Sequence, residues 1–383
     1  MFEENAPLPA FLISRLACAG INQQTLQAEV SKGLQARVHG NGVTDMNYPQ
    51  QLRQLIARQN LSENEAFAMV TAILAGELTE GQIGACLAAL AAKGETIDEI
   101  AGGARAMRSA ATRVQSLCTD TLDTVGTGGD GGLTFNVSTT VAFVAAGAGA
   151  VVAKHGNRAS SGRSGSADCL EQLGFNLSAA PEVLEQALNE IGVTFLFAPS
   201  FHKAMRFAGP VRKQLGVRTI FNLLGPLTNP AGAPCQLIGV FAPELTETFA
   251  QVLRKLGSRR VLVVHGLDGM DEITLTGPTR CSELKDGRIR TYDIDPLAYF
   301  PETCTPADLA GGDPAANAAI TRGILAGEIH GPKRDLVLIS AAASLVAANR
   351  APDFAAGIAQ AAAAIDSGAA LDKLERLVAW TRQ

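Results

Sequence analysis

Five short apolar runs, each followed by a longer stretch with helical character, set the strongest limit on the fold of this chain. They lie after Cys118, at residues 122–125, 151–153, 193–197, 237–241 and 261–264. Short strand-like runs that alternate with helices are typical of βα units, in which parallel strands form one sheet with helices on both faces. We therefore predict an α/β domain with a mostly parallel central sheet flanked by helices.

The segment before Cys118 has a helical period instead. Ser62, Thr79 and Thr96 each precede a Glu or Gln by three residues, a spacing typical of the capping box that begins a helix. Apolar residues, mostly Ala and Leu, recur between them at helical spacing, which predicts a small helical bundle. The predicted parts are an N-terminal extension at 1–42 with one helix at 24–35, a helical domain at 43–118 joined by about 201–222, and an α/β domain at 119–200 and 223–383.

Composition excludes several classes of protein. The formal net charge of -5 and the scattered positive residues argue against a nucleic-acid-binding face. The seven cysteines occur singly, without CxxC spacing, which argues against a zinc site or a redox motif. The first residues are acidic, and no apolar run approaches the ~18 residues of a membrane span. We therefore expect a protein of the reducing cytoplasm.

A glycine-rich loop follows the first predicted strand and leads directly into a Ser/Thr-rich helix start. Glycines let backbone N–H groups close around phosphate oxygens, and the first turn of a helix favours negative charge. The loop is not a P-loop, because no Gly-Lys-Ser/Thr follows, and it is not GxGxxG. A tight turn without a ligand is the alternative, but a turn needs only one or two glycines. The loop therefore predicts a phosphorylated substrate, and its glycines are Gly126, Gly128, Gly129, Gly131 and Gly132.

A second polar loop follows the second predicted strand. Lys154, Arg158 and Arg163 lie there among four serines, a combination that suits a ligand with several phosphate groups. The alternative is a solvated surface loop. Asn157 is uncharged and suits the orientation of an amine or a carboxylate, whereas His155 could equally be a structural residue.

Asp271 and Glu272 lie in a glycine-containing loop after the fifth predicted strand. Two adjacent carboxylates that face a phosphate site are an expected way to hold Mg²⁺, which keeps several waters and bridges to phosphate oxygens. An acidic surface turn is the alternative. A basic cluster precedes this loop, and such a run is most often a solvated helix face. Its members are Arg206, Arg212, Lys213 and Arg218.

Taken in order and at these separations, the motifs closely resemble those of the anthranilate phosphoribosyltransferase family. The match runs from about Tyr48 to the C-terminus and does not cover residues 1–42. Pyrimidine nucleoside phosphorylases share each motif in part, but the full series is specific. The motifs lie at residues 126–130, 136–139, 154–158, 164–168, 225–230 and 271–272.

The resemblance implies a homodimer of tryptophan biosynthesis, with the active site in a cleft between the helical and α/β domains. It also implies three sets of site residues. Those for phosphoribosyl pyrophosphate are Gly126, Gly129, Asp130, Thr134, Asn136, Val137, Ser138, Thr139, Lys154 and Ser166. Those for Mg²⁺ are Ser138, Asp271 and Glu272. Those for anthranilate are Gly126, His155, Asn157, His202, Arg212, Gly225 and Pro226, with Arg212 placed to meet the carboxylate.

The chain departs from the family pattern at Lys203, where the family usually has Pro after the histidine. This adds a charge near the acceptor site and could shift the start of the helix that follows His202. The expected reaction moves the phosphoribosyl group to an uncharged aromatic amine, so no covalent nucleophile and no essential general base are expected. Positioning and electrostatics should supply most of the rate.

Two alternative functions are weighed against this one. A pyrimidine nucleoside phosphorylase would use free phosphate in place of the amine and would need no carboxylate-binding Arg212. A non-catalytic paralogue that binds nucleic acid would be expected to have eroded loops and a basic surface. The intact loops and the net charge of -5 favour the transferase.

Overall fold

A seven-stranded sheet forms the centre of the α/β part of the chain. Its strands are β1 (Leu122–Gly126), β2 (Val152–Gly156), β3 (Val193–Phe197), β4 (Cys235–Gly239), β5 (Arg260–Gly266), β6 (Thr279–Lys285) and β7 (Arg288–Ile294). The order across the sheet is β3-β2-β1-β4-β5-β6-β7, with the first five parallel and the last two antiparallel. This confirms the predicted mostly parallel sheet.

The computed structural model describes residues 47–128, 134–159, 162–302 and 304–383. The predicted extension at 1–42 and its helix at 24–35 lie outside the described residues. Within the described ranges, fifteen α-helices surround the sheet. They are α1 (Tyr48–Ile56), α2 (Glu63–Ala75), α3 (Glu80–Lys93), α4 (Ile97–Ala110), α5 (Val137–Gly147), α6 (Ser166–Gln172), α7 (Pro181–Glu190), α8 (Ala198–Phe201), α9 (Gly209–Leu215), α10 (Ile220–Leu224), α11 (Leu245–Lys255), α12 (Pro314–Leu325), α13 (Pro332–Ala347), α14 (Phe354–Asp366) and α15 (Ala369–Trp380).

Helices α1 to α4 form the predicted bundle, and all three predicted capping boxes are present. In each, the Ser or Thr side chain accepts the backbone N–H three residues on, and the Glu or Gln side chain accepts the N–H of the capping residue. Helices α2 and α4 pack closely at Gly102, where a Cβ would lie 2.2 Å from the Glu63 carbonyl oxygen. The buried ion pair of Lys93 with Glu99, 2.9 Å apart, ties α3 to the start of α4.

Alternate side chains of the central strands enter two different cores. In β5, Val261 and Val263 pack with the bundle and α11, whereas Leu262 and Val264 pack with the helices on the other face of the sheet. Successive side chains of a strand point to opposite faces, so a strand covered on both faces is apolar throughout. The short apolar runs in the sequence follow from this burial.

The segment after β3 packs on the bundle through short helices. Val211 of α9, with Ile220 and Leu224 of α10, belongs to the same buried cluster as the bundle helices. Phe249 and Leu253 of α11 extend that cluster onto the sheet. The bundle, the α8 to α10 segment and one face of the sheet therefore share one continuous core, which fixes the segment beside the strand ends.

The hairpin of β6 and β7 was not predicted from the sequence. Asp286 and Gly287 join the two strands with φ of 51° and 75°, the left-handed conformation that a tight hairpin turn requires. The last helix, α15, begins at Ala369, because Gly368 adopts a left-handed φ of 78° and separates it from α14. No single helix in the described ranges is long and apolar enough to cross a membrane, and only the bent pair α14 and α15 reaches that length and composition together.

Candidate active site at the carboxyl ends of the strands

A cavity of about 700 Å³ opens where β1, β2 and β5 end, and the α8 to α10 segment closes its other side. Most of the predicted site residues line it, both those on the loops after the strands and those on the α8 to α10 segment. Thr139 is buried and does not line the cavity, and Gly129 and Asp130 lie outside the described residues. The predicted residues that line the cavity are Gly126, Thr134, Asn136, Val137, Ser138, Lys154, His155, Asn157, Ser166, His202, Arg212, Gly225, Pro226, Asp271 and Glu272.

Lys154 connects the ends of β1 and β2 with the first turn of α5. Its Nζ donates to the Thr124 carbonyl oxygen and, at 3.2 Å, to Ser138 Oγ. Burial lowers the pKa of Lys154, while the nearby carboxylates of Asp123 and Glu272 oppose that shift. The Lys154 amine, held by these two hydrogen bonds, lies beside the first turn of α5, whose N–H groups and dipole favour negative charge. This end of the cavity therefore suits an anionic ligand.

Asp123 holds the second strand beside the first. It is fully buried, and its Oδ1 accepts the backbone N–H of His155 at 2.9 Å. Burial raises the pKa of Asp123 to about 6. Asp123 was not predicted as a functional residue, yet its position within an apolar strand could have indicated this structural role, since buried carboxylates are nearly always paired.

Asp168 shapes the second loop. Its Oδ2 accepts the backbone N–H groups of Ala159 and Gly165, both at 2.9 Å, and its Oδ1 accepts from Arg158 Nη1 at 2.7 Å. Arg158 pairs with Glu171 as well and also lines the cavity, so its role toward phosphate stays a prediction. Arg163, also expected to serve phosphate, is exposed and does not line the cavity.

The loop after β5 brings Asp271 and Glu272 to the cavity. Asp271 is only 8% exposed, which is against the acidic surface turn weighed in the sequence analysis. A Cβ on Gly239 would lie 1.5 Å from the backbone oxygen of Asp271, and a Cβ on Gly126 would lie 2.9 Å from its Oδ2. Glycines at the ends of β1 and β4 therefore admit this carboxylate to the site.

Asp268, which the sequence analysis did not single out, folds the same loop. Its carboxylate accepts the hydroxyls of Thr274, at 2.6 Å, and Thr276. No cluster of three or more His, Cys, Asp or Glu side chains suited to a metal occurs in the part of the chain that the structure describes. A pair of carboxylates beside a phosphate site nevertheless fits Mg²⁺, which takes few protein ligands and completes its shell with water and phosphate oxygens.

Two buried histidines lie at the other end of the cavity. The ring centroids of His155 and His202 are 5.2 Å apart. Burial, with repulsion from His202 and Lys154, lowers the pKa of His155 to about 3, and burial lowers the pKa of His202 to about 4. Both rings are therefore neutral near pH 7, and the buried Nε2 atom of each has no hydrogen-bond partner among the described residues.

The basic cluster of the sequence divides into two parts in the structure. Arg206 and Arg212 line the cavity with Lys203, whereas Lys213 lies outside it, and Arg218 stacks 3.8 Å from the centroid of the Phe241 ring. The Arg212 side chain is half-buried, which lowers its pKa, and its Nη2 lies 3.4 Å from Asn222 Oδ1. The end of the cavity beside the histidines thus offers cations without a carboxylate among its described lining residues.

Two family models match the chain and together cover most of it. The helical bundle domain of a glycosyl transferase family matches residues 49–111, and the α/β domain of the same family matches residues 118–371. These two domains define the class, a glycosyl transferase whose helical bundle accompanies a catalytic α/β domain.

Closer relatives specify the family. An anthranilate phosphoribosyltransferase of Desulfosudis oleivorans is 57% identical over 335 residues, 88% of this chain and 99% of the relative. The crystal structure of the Thermus thermophilus enzyme has a TM-score of 0.83 and 46% identity, covering 87% of this chain and 99% of that one. The chain belongs to the anthranilate phosphoribosyltransferases, which confirms the resemblance drawn from the sequence.

A more distant structure carries ligands. The Saccharomyces cerevisiae anthranilate phosphoribosyltransferase, with a TM-score of 0.81 and 27% identity over 89% of this chain and 99% of that one, was solved with PRPP and Mg. The same enzyme was also solved with 4-fluoroanthranilate. These ligands are phosphoribosyl pyrophosphate with a divalent metal, and an analogue of the aromatic acceptor.

Proposed function

We propose that the chain transfers the 5-phosphoribosyl group of phosphoribosyl pyrophosphate to the amine of anthranilate and releases pyrophosphate. The observation that supports this most directly is the polarity of the cavity. One end has a helix start, a buried lysine and two carboxylates, and the other has two neutral histidines and three cations. A phosphorylated donor and an anionic aromatic acceptor suit these two ends.

The donor end supplies hydrogen-bond donors for two phosphate groups. The backbone N–H groups of Ser138 and Thr139, at the start of α5, have no partner within the helix and favour an anion, whereas the N–H of Val137 donates to the Phe135 carbonyl oxygen at 2.7 Å. Thr139 would act through its backbone, because its side chain is buried away from the cavity. Lys154 adds a positive charge. The full set for this donor is Gly126, Gly129, Asp130, Thr134, Asn136, Val137, Ser138, Thr139, Lys154 and Ser166, of which Gly129 and Asp130 stay predictions from the sequence.

Ser138, Asp271 and Glu272 would hold Mg²⁺ beside the pyrophosphate. A bound Mg²⁺ neutralises charge that develops on the leaving pyrophosphate. The chain's own contribution is to fix these oxygens: Lys154 donates to Ser138 Oγ, and Gly126 and Gly239 admit Asp271 to the edge of the sheet.

At the acceptor end, Arg212 would bind the anthranilate carboxylate, with Gly126, Asn157, Gly225 and Pro226 around the ring. A guanidinium and a carboxylate form a charge-assisted pair, and the partial burial of Arg212 strengthens it. Departure of pyrophosphate leaves positive charge on the ribose ring carbon, and the amine lone pair attacks from the opposite face. We therefore expect inversion at that carbon.

The histidines would orient the amine and would not remove its proton. A general base works best when its pKa lies near the working pH. His155 and His202, with pKa values of about 3 and about 4, are poor bases near neutrality. A buried Nε2 that lacks a hydrogen-bond partner among the described residues can instead accept an N–H of the acceptor and direct the nitrogen lone pair.

The homodimer and the cytoplasmic location remain proposals that rest on the resemblance and on composition. Sedimentation of the purified protein measures the first, and fractionation of its host cells measures the second. A monomer at micromolar concentration would remove the dimer from this proposal without affecting the active site within one chain.

Loss of anthranilate fluorescence tests the reaction. Purified protein, Mg²⁺ and phosphoribosyl pyrophosphate should consume anthranilate and release one pyrophosphate per acceptor. Turnover of a pyrimidine nucleoside with phosphate, and none with anthranilate, would replace the transferase with the phosphorylase. The location of Arg212 in the cavity favours the transferase, because a phosphorylase has no need for a carboxylate-binding group there.

A further inference from the structure

The side chain of Asn136, at the start of α5, links the two phosphate-binding loops. Its Nδ2 donates to the Ser164 carbonyl oxygen at 3.1 Å, and Ser164 Oγ donates back to its Oδ1 at 3.0 Å. A third contact comes from a distant part of the chain, because Asn317 Nδ2 donates to the same Oδ1 at 3.0 Å. Asn317 lies outside every motif of the sequence analysis.

Asn317 is itself fixed from its other end. It lies in the first half of α12, is 1% exposed, and its Oδ1 accepts the backbone N–H of Gly312 at 2.7 Å. The residues before Asn317 contact the segment that precedes α5, where Thr134 forms a β-bridge with Ala310. A Cβ on Gly311 would lie 2.6 Å from the backbone of Phe135, so the two segments touch at their main chains.

The hydrogen-bond count of a primary amide gives this contact a specific consequence. An Asn side chain has one oxygen with two lone pairs and one NH₂ group with two hydrogens. In Asn136 both lone pairs are used, by Ser164 and Asn317, and one hydrogen is used, by the Ser164 carbonyl oxygen. If the amide turned over, its NH₂ would face the NH₂ of Asn317 and both would lose a partner. One amide hydrogen is therefore left for a ligand, in a fixed orientation.

We infer that Asn317 is a positioning residue for the donor site, which holds the Asn136 amide and, through it, the separation of the two phosphate-binding loops. This inference rests on the proposed function for the identity of the donor. It gives residues 310–317, which are distant in sequence from both loops, a role in organising that site. Asn317 does not line the cavity and acts only through Asn136.

The test is Asn317→Asp, which has nearly the same shape. The aspartate keeps an oxygen for the Gly312 N–H, but its second oxygen would face the side-chain Oδ1 of Asn136 and repel it. We expect the KM for phosphoribosyl pyrophosphate to rise about tenfold, the ratio that corresponds to about one hydrogen bond. The KM for anthranilate should stay within twofold, because neither Arg212 nor His202 belongs to this hydrogen-bond network. Asn317→Ser, which shortens the side chain, should behave in the same way and serves if the aspartate variant does not fold.

Thr321→Val is the matched control. Thr321 lies one turn further along α12, is fully buried, and its hydroxyl is 2.9 Å from Thr140 Oγ1, so its loss also removes a buried hydrogen bond. Its link to Asn136 runs through Thr140, whose hydroxyl donates to the Asn136 backbone oxygen at 3.1 Å and not to the side-chain amide. We expect a lower thermal midpoint with both KM values unchanged.

Calorimetric binding of phosphoribosyl pyrophosphate, measured without anthranilate, separates two kinds of failure. If the wild-type protein does not turn over anthranilate, the proposed function fails, and donor binding still reports on Asn317. If the wild type is active and folded Asn317 variants bind the donor as it does, the positioning role is wrong. The same conclusion follows if Thr321→Val raises the KM for the donor as much as Asn317→Asp.

Discussion

The two ends of the cavity are built in different ways. At the donor end, backbone N–H groups, glycines and the buried Lys154 are held by hydrogen bonds between strand ends and the start of α5. At the acceptor end, individual side chains on short helices line the cavity, and two of them, Lys203 and Arg206, are exposed. A rigid donor end suits positioning of the leaving group, whereas the acceptor end can change its specificity one side chain at a time.

Charge follows the same division. The carboxylates among the described lining residues, Asp271 and Glu272, lie with Lys154 at the donor end, whereas three cations, Lys203, Arg206 and Arg212, lie at the acceptor end. Substitutions at one end should therefore change the kinetics of one ligand. Four predictions test that separation, from the largest expected effect to the smallest.

The largest effect should come from Asp271→Asn combined with Glu272→Gln. A hard divalent cation selects charged oxygen ligands, and a metal at this position is worth several kcal/mol to the reaction, which corresponds to more than about a hundredfold in rate. We expect the activity at limiting Mg²⁺ to fall by at least that factor and to recover in part at high Mg²⁺. A titration of activity against Mg²⁺ measures this.

The matched control, Glu244→Gln with Glu247→Gln, removes two exposed carboxylates at the N-terminal end of α11, outside the cavity. Because Asp271 is buried, the thermal midpoints of both double variants must be compared as well. Superimposable Mg²⁺ titrations for the wild type and the Asp271 and Glu272 variant would remove these residues from the metal site.

Arg212→Ala should affect the acceptor alone. A charge-assisted pair contributes about 1.5 to 3 kcal/mol, so the KM for anthranilate should rise roughly ten- to a hundredfold. The KM for phosphoribosyl pyrophosphate should stay near its original value. Lys213→Ala, the next residue of α9 and outside the cavity, should change neither. Equal weakening of both substrates in Arg212→Ala would contradict the division into two ends.

The donor end was the more predictable part of the molecule. The position of Gly126, Ser138 and Lys154 at the cavity could be predicted because glycines, a Ser/Thr-rich helix start and a lysine in an apolar strand are visible in the local sequence. The parallel sheet was predicted for a similar reason, since its strands are apolar on both faces.

Features that depend on distant contacts could not be predicted in this way. Gly239 admits the backbone of Asp271, and Asn317 reaches Asn136 across more than half of the described chain. Nothing in the local sequence of either indicates its partner. The same applies to Arg158, whose charge predicts phosphate binding but whose ion pairs with Asp168 and Glu171 are not visible in the local sequence.

The buried histidines should make stability fall with acid. The ordinary pKa of His is about 6.5, and His155 and His202 have folded values of about 3 and about 4. The unfolded chain therefore binds more protons, so stability is full above about pH 6.5 and is lost as pH falls towards about 4. At pH 5 the loss is on the order of 2 kcal/mol for each histidine.

His202→Gln tests this at the acceptor end without adding a charge. Between pH 7 and pH 5 its thermal midpoint should fall by a few degrees less than that of the wild type. His330→Gln is the control, because that histidine lies outside the cavity. An identical fall in all three proteins would show that protonation of His202 does not limit stability.

Lys203→Gln should have the smallest effect, and one that depends on salt. Lys203 is exposed at the cavity, so it should attract the anthranilate carboxylate over a distance rather than hold it. Exposed charges contribute about 0 to 1 kcal/mol and are screened within about 10 Å at 0.1 M salt, so kcat/KM for anthranilate should fall two- to threefold at low salt and not at high salt. Lys213→Gln makes the same change of charge ten residues away and should leave kcat/KM unaltered. Lys203→Gln could instead have no effect at low salt, or an effect that high salt does not remove. Either result would show that Lys203 does not attract anthranilate electrostatically, and that the departure from the family's proline has another consequence.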